Sequence, residues 1–261
     1  MVAQPLRDGL DHRRRHALFQ REDIRIELGE DAREVVDVGV AAETAQRLER
    51  LARRIALQAL DVLGWAKCCL LGHSLGGAVS TLLAVVAPER VTAVSLIDQI
   101  GPLSEAPDQF PARLKRSIEA HAATAVQEPP EYPTLEDLIE RRRRAGGIGD
   151  QGARLLVTRN ARRTETGYRW GSDSRLRLPA PLYLDEAQAR AILMTIKCPV
   201  QMIMASDGLI AARANTLGRI EAMTTLTVEK MTGGHHLHMD NPGSVAHDIV
   251  PFLQSHVPAD D

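Results

Sequence analysis

Aromatic residues are scarce in this sequence. Phe, Tyr and Trp together make up 3% of the 261 residues, so a core must be built from Leu, Val, Ile and Ala. The formal net charge is −2, which favours neither a nucleic acid nor a membrane surface as a partner. No stretch approaches the roughly 20 consecutive apolar residues that a membrane-spanning helix needs. The charged sequence of residues 1–16 has no apolar run typical of a secretory signal, and we expect a cytoplasmic protein.

Cysteine is also rare, with three residues in the chain. Cys68 and Cys69 adjoin in an apolar run, and Cys198 precedes a proline. An odd number in this arrangement does not indicate a disulfide framework. We therefore expect reduced, structural thiols, which suits a cytoplasmic protein. None of the three lies on a turn that would expose a nucleophilic thiol.

The hydrophobic pattern predicts alternating helices and strands in the first half of the chain. Apolar residues at helical spacing predict a helix over residues 45–63, which Gly64 ends. Further along the chain we predict a strand over 66–71, a helix over 75–87 and a strand over 91–97. A strand, a helix and a second strand in this order predict a parallel sheet.

Residues 101–196 differ in composition from the segments on either side, because they are rich in Pro, Arg and Glu. Helices are predicted there over 111–125 and 135–144, and the four consecutive arginines at 141–144 are interpreted as a solvated helix face. After this segment the pattern predicts strands over 200–205 and 226–231 and a closing helix over 244–255. We therefore predict a divergent N-terminal segment (1–60), an α/β core (61–100 and 197–261) and an inserted helical cap (101–196).

A strand–turn–helix segment centred on Ser74 carries the clearest chemical signal. Its sequence, Gly72-His73-Ser74-Leu75-Gly76, follows an apolar strand and opens a helix of small residues. Such a turn lifts the serine hydroxyl above the sheet, and the backbone N–H of Leu75 can donate to an oxyanion. His73 is expected to point away from the serine. The alternative interpretation is a glycine-rich turn with a purely structural role.

A serine nucleophile needs a base, and three histidines follow the last predicted strand. His235, His236 and His238 lie in one loop before the closing helix, where the histidine of a Ser…Asp…His order is expected. His236, His238 and Asp240 also match an H-x-H-x-D pattern of metallohydrolases. That pattern requires a histidine at the next position, where this chain has Asn241. We therefore expect no metal site and no cofactor.

The acid that would orient the histidine has two candidates. Asp98 ends the strand after the Ser74 turn, and Asp207 follows the strand predicted over 200–205. Both positions follow strands of the predicted parallel sheet, so both carboxylates belong at the same edge as Ser74.

These features resemble the α/β-hydrolase superfamily. From Gly64 to the C-terminus the chain resembles the capped serine hydrolase-like proteins, on three segments in particular: 167–176, 178–196 and 198–200. The resemblance implies a mostly parallel sheet with flanking helices and a helical cap inserted between two strands. His235 occupies the position of the family's catalytic histidine. The resemblance favours Asp98 as the acid, with Asp207 as the alternative, because the segment around Asp98 matches without a gap.

With serine at the turn, the resemblance implies hydrolysis of a small or medium ester-type substrate. The implied catalytic residues are Ser74, His235 and Asp98, with the Leu75 N–H as oxyanion donor, and the implied partner is a small molecule.

The first 60 residues depart from the family, because the His-Gly loop that carries the second oxyanion donor is absent from them. Candidate strands over 24–28 and 35–40 are separated by six residues, whereas a parallel crossover needs about a dozen. We therefore expect a hairpin or no pairing with the sheet. An unpaired sheet edge would favour a homo-oligomer. These departures leave a second hypothesis, a weak or inactive relative with a binding or structural role.

Overall fold

The computed structural model describes residues 35–37, 57–124, 130–173, 176 and 178–258. Its centre is a five-stranded parallel sheet in the order β1-β2-β3-β6-β7. The strands are β1 (Val35–Asp37), β2 (Cys68–His73), β3 (Val91–Ile97), β6 (Val200–Asp207) and β7 (Leu226–Gly234). The predicted α/β class with a parallel sheet is confirmed. In the described parts of the chain, no helix is both long and apolar enough to cross a membrane.

The predicted unit around Ser74 is present with small shifts of its bounds. Helix α1 (Leu57–Leu63) lies within the helix predicted over 45–63, and residues 45–56 of that prediction lie outside the described residues. It ends at Gly64, whose φ of 71° is the left-handed conformation that commonly ends a helix. Helix α2 (Leu75–Val86) follows β2 and leads to β3, which has the predicted bounds. Most of α2 is buried, because its small residues allow it to pack closely on the sheet.

The N-terminal strand pairs differently from the expectation. β1 lies parallel to β2, with Val36 opposite Leu70, so the expected hairpin or absence of pairing is wrong for residues 35–37. The expectation rested on the six residues that separate this strand from the candidate strand over 24–28. The true partner of β1 is β2, and the 30 residues between β1 and β2 are long enough for a parallel crossover. The other candidate strand, over 24–28, lies outside the described residues.

The elements between β3 and β6 are mostly helical. A short 3₁₀ helix (Pro107–Gln109) precedes α3 (Phe110–Thr124), α4 (Leu135–Arg144) and α5 (Asp150–Asn160), then the hairpin β4–β5 (Ala161–Arg163 and Tyr168–Trp170) and α6 (Glu186–Thr195). This region has its own small apolar cluster, which includes Leu138, Ala153 and Val157. The predicted cap helices are confirmed as helices, whereas the boundaries of the cap as a domain stay a prediction.

The C-terminal elements complete the layers on the sheet. After β6 come α7 (Thr216–Ala222), β7, the one-turn helix α8 (Leu237–Asp240) and α9 (Pro242–Gln254). Side chains of a strand alternate between its two faces. Accordingly Leu70 packs in the cluster that includes α2, and Cys69 in the cluster that includes Val245 and Ile249 of α9. Burial raises the pKa of the Cys68 thiol to about 12, as expected for a structural thiol.

Candidate active site

Ser74 forms the turn between β2 and α2 by itself, because β2 ends at His73 and α2 begins at Leu75. Its backbone has φ 53° and ψ −118°, a conformation that is strained for a residue with a Cβ. Glycines make this turn sterically feasible: a Cβ on Gly72 would lie 2.5 Å from the carbonyl carbon and oxygen of Gly76. The predicted turn is therefore present, and its strain is held by the sheet and helix on either side.

His235 lies directly after β7 and connects Ser74 to Asp98. Its Nε2 is 2.9 Å from Ser74 Oγ, and its Nδ1 is 2.6 Å from Asp98 Oδ2. A carboxylate can only accept, so Nδ1–H donates to Asp98 and the lone pair of Nε2 faces the serine hydroxyl. These three side chains form one hydrogen-bonded series, from the Ser74 hydroxyl through the His235 ring to the Asp98 carboxylate.

The structure separates the two candidate acids. Asp98 is fully buried at the end of β3, and its Oδ2 also accepts from the Leu209 backbone N–H at 2.8 Å. Asp207 is exposed at the end of β6, where its carboxylate accepts from the Ser206 hydroxyl at 2.8 Å. The structure brings Asp98, and not Asp207, to His235.

Two backbone features direct the Asp98 side chain. Asp98 has a φ of 45°, and its N–H donates to the Ile203 carbonyl of the neighbouring strand at 2.8 Å. Gly208 lies against the carboxylate, and a Cβ there would stand 2.3 Å from Asp98 Oδ1. The role of Gly208 beside Asp98 was not predicted, because an Asp-Gly pair after a strand indicates only a turn. Asp98 Oδ1 is buried and has no hydrogen-bond partner among the described residues.

The N-terminus of α2 lies next to Ser74. The N–H groups in the first turn of a helix have no acceptor within the helix, and they carry its partial positive charge. The Leu75 N–H is one of them, since Leu75 is the first residue of α2. The family's second oxyanion donor comes from a His-Gly loop that is expected within residues 1–60. Most of these residues lie outside the described residues.

Three further histidines surround His235. The ring centroid of His73 is 4.5 Å from that of His235, 4.9 Å from that of His236 and 4.3 Å from that of His238. We call His73, His236 and His238 the three-histidine cluster. Burial lowers the pKa of these imidazoles, helped by the neighbouring histidines and, at His236, by Arg142, so that the values are about 2, 3 and 4 respectively. The cluster is therefore neutral at pH 7, and none of its members is hydrogen-bonded to Ser74.

The helical segment between β3 and β6 contacts the histidine loop directly. The backbone N–H of His236 donates to the Gly147 carbonyl at 2.9 Å, and Arg142 donates to His236 Nε2 at 2.8 Å. Asp240 accepts from the Gly149 N–H with both carboxylate oxygens at 2.9 Å, at the residue that precedes α5. This helical segment therefore helps to hold the loop that carries His235.

Arg142 differs from its neighbours in the run 141–144. Arg143 and Arg144 pair with Glu140 on the same helix, as expected for a solvated helix face. Arg142 is half-buried and reaches the histidine loop instead. The interpretation of the whole run as solvated is therefore wrong for this residue, because the fold brings the loop within its reach.

Comparison with known proteins agrees with this fold. A family model of the α/β-hydrolase fold matches residues 31–124. The chain is 28% identical over 210 residues to a serine hydrolase-like protein of Danio rerio, a match covering 76% of this chain and 64% of that protein. It is 26% identical over 212 residues to a serine hydrolase-like protein of Dictyostelium discoideum, covering 75% and 59%. The chain thus spans less than two thirds of the length of these two curated relatives.

A solved structure is also similar. The crystal structure of a hypothetical protein from Pseudomonas aeruginosa PAO1 has 33% sequence identity and a TM-score of 0.73, and the match covers 83% of this chain and 76% of that one. The fold, the turn at Ser74 and these matches define an α/β-hydrolase. Within that superfamily, the chain is similar to the curated serine hydrolase-like proteins.

Proposed function

We propose that this protein is a serine hydrolase that cleaves ester-type acyl substrates through an acyl-enzyme on Ser74. The observation that carries the proposal is the hydrogen-bonded series from Ser74 Oγ to His235 (2.9 Å) and from His235 to Asp98 (2.6 Å). A nucleophile, a base and a group that orients the base are the parts that acyl transfer by serine requires. The family name of the relatives supports the hydrolase class.

In the first half of the proposed reaction, His235 Nε2 accepts the Ser74 hydroxyl proton as Oγ attacks the substrate carbonyl carbon. Asp98 stabilises the resulting imidazolium through the Nδ1–H and keeps the ring in the tautomer that can accept at Nε2. The Leu75 N–H donates to the oxyanion. The imidazolium then gives its proton to the leaving alcohol, and the acyl group stays on Ser74.

In the second half, water replaces the leaving alcohol. His235 removes a proton from the water as it attacks the acyl carbonyl, and the proton returns to Ser74 Oγ when the acid product leaves. Every proton passes through His235, so the proposed cycle needs no metal and no organic cofactor. We propose a small or medium hydrophobic ester, thioester or lactone as the substrate class.

Active-site labelling with a fluorophosphonate tests the proposed nucleophile. We expect wild-type protein to be labelled and Ser74→Ala to be unlabelled, because the probe phosphonylates an activated serine hydroxyl. Ser244→Ala is a matched control, since Ser244 lies exposed in α9, outside the hydrogen-bonded series. Folded wild-type protein that resists labelling would overturn the hydrolase proposal.

A second candidate function is that of a catalytically weak relative, and the oxyanion donors favour it. The Leu75 N–H is the one donor that we assign within the described residues, and loss of one donor reduces turnover by about 10²- to 10³-fold. Hydrolysis of a p-nitrophenyl ester series separates the two candidates. Rapid labelling of Ser74 with turnover near that of the buffer blank would indicate the weak relative.

A further inference from the structure

We propose that the three-histidine cluster (His73, His236 and His238) binds one divalent transition-metal ion next to the proposed catalytic residues. One candidate ligand nitrogen from each residue lies within 4.8 Å of the other two. His73 comes from the end of β2, whereas His236 and His238 come from the loop after β7. The inference concerns binding alone and does not depend on the reactivity of Ser74.

His73 has the hydrogen bond that a metal-ligating histidine usually has. Its Nε2 lies 2.8 Å from the His235 carbonyl oxygen, and a carbonyl oxygen only accepts, so Nε2 carries the proton. The lone pair of neutral His73 is therefore on Nδ1. Histidine ligands commonly donate their second ring N–H to a backbone carbonyl in this way, which fixes the tautomer and the ring orientation.

His238 provides an unsatisfied nitrogen. Its Nδ1 is buried and has no hydrogen-bond partner among the described residues. A buried polar atom without a partner is unfavourable, and few native structures retain many of them. A metal ion bound by the cluster would give this histidine a partner.

The separations require modest side-chain movement. Two imidazole nitrogens bound to the same tetrahedral zinc ion are about 3.4 Å apart, given Zn–N distances of about 2.0–2.1 Å. The cluster nitrogens lie within 4.8 Å of one another. Side-chain rotations that move each nitrogen by about 1 Å would therefore bring them to the separations found between zinc ligands. The two rings from the loop, those of His236 and His238, are 6.0 Å apart between centroids and have the larger movement to make.

The ligand set selects the class of metal. Imidazole nitrogen suits zinc, copper and nickel, whereas magnesium and calcium prefer carboxylate and carbonyl oxygen. The nearest carboxylate in the loop, that of Asp240, has both oxygens engaged by the Gly149 N–H. We therefore expect zinc or copper to bind in preference to magnesium or calcium.

Arg142 makes the proposal specific to this structure. A guanidinium group only donates, so Arg142 holds the lone pair of His236 Nε2 at 2.8 Å and places a positive charge beside it. Metal binding through this nitrogen must displace that hydrogen bond. Removal of the guanidinium is therefore expected to tighten metal binding, the opposite of its effect at a site for an anion.

Zinc titration calorimetry on the metal-free 261-residue chain tests the site. We expect one zinc ion per chain in the wild type and binding weaker by about tenfold or more in His236→Ala and in His238→Gln, since each lacks one of three ligands. Arg142→Met should bind more tightly than the wild type. His247→Ala is the matched control, because His247 is exposed on α9 away from the cluster, and it should bind as the wild type does.

Two results would overturn the proposal. One is the absence of zinc binding to folded wild-type protein at millimolar concentration. The other is equal affinity in the wild type and in the double variant His236→Ala/His238→Gln, which would place bound zinc elsewhere. Circular dichroism and thermal unfolding of each variant show that it is folded. The visible spectrum of a cobalt-substituted sample, which reports nitrogen ligation directly, should be lost in the double variant.

Discussion

Substitution of Gly208 by alanine tests the idea that the loop after β6 positions the Asp98 carboxylate. The new Cβ would lie 2.3 Å from Asp98 Oδ1 and 2.5 Å from both the carboxylate carbon and Oδ2. Ordinary contact begins at 3.4 Å. The obstacle is not the flexible end of a long side chain but a buried carboxylate that is bonded to His235 and to the Leu209 N–H.

Relief of this overlap requires a movement of about 1 Å, and misplacement by about 1 Å at a catalytic group can reduce the rate about 10²-fold. We therefore expect Gly208→Ala to lower kcat/KM by about 10²-fold, equivalent to about 2.7 kcal/mol of transition-state stabilisation. The upper bound is the loss of about 10⁴-fold seen when the aspartate of a serine protease triad is replaced by asparagine.

Ester hydrolysis and the rate of fluorophosphonate labelling measure the effect, with Gly243→Ala as the control. A Cβ on Gly243, near the start of α9, would have no atom within 4 Å, so that variant should react at the wild-type rate. A folded Gly208→Ala protein with wild-type kcat/KM would refute the assignment of Gly208 as a positioning residue for Asp98.

The remaining predictions concern the acid, the cap and the metal. Asp98→Asn should lower kcat by about 10⁴-fold, and Asp207→Asn should change it little, because Asp207 is exposed and bonds only to Ser206 in the described structure; equal losses in ester hydrolysis would contradict the assignment. Although burial acts to raise it, hydrogen bonds from Arg219 and its neighbours lower the pKa of Glu186 to about 2, from 4.5. The stabilisation from the ionised Glu186 carboxylate is therefore present above pH 4.5 and is lost as the pH falls toward 2. The free energy of unfolding, measured with urea, should depend less on pH over that range in Glu186→Gln than in the wild type. An unchanged pH dependence would count against the ion pair of Glu186 with Arg219. Zinc bound beside His235 should disfavour formation of its imidazolium and so slow ester hydrolysis. A chelator should reverse this inhibition. Hydrolysis that is unaffected by saturating zinc would show that the ion does not act on His235.

Local sequence was sufficient for many of the elements. The strand over 91–97 and the helix over 135–144 have the predicted bounds, because apolar runs, helical periodicity and a capping Thr134 act within a few residues. The turn at Ser74 was predictable for the same reason, since its glycines are required by contacts inside the turn.

Pairing between distant segments was not predictable from local pattern. β1 joins β2 in parallel although about 30 residues separate them, and no periodicity in either strand specifies a partner. The prediction considered pairing between the candidate strands over 24–28 and 35–40 alone. The six residues between them are too few for a parallel pair. The sheet is instead decided by which edges are available after the whole core has assembled.

The choice of acid also depended on tertiary structure. Asp98 and Asp207 end two adjacent parallel strands, β3 and β6, so sequence alone placed both at the same edge of the sheet. The positive φ of Asp98 and the close approach of Gly208 turn one carboxylate inward, while the other stays exposed. Side-chain direction at a strand end depends on such contacts rather than on residue type.

The sequence by itself determined the elements, the turn at Ser74 and the group of histidines that could serve it. Only the tertiary structure decided which histidine meets the serine and which carboxylate meets that histidine. It also brought His73 to His236 and His238 and Arg142 to the same loop, because these contacts join residues more than 90 positions apart. Local forces specify helices, strands and turns, whereas a site is assembled from their ends only when the whole sheet and cap are in place.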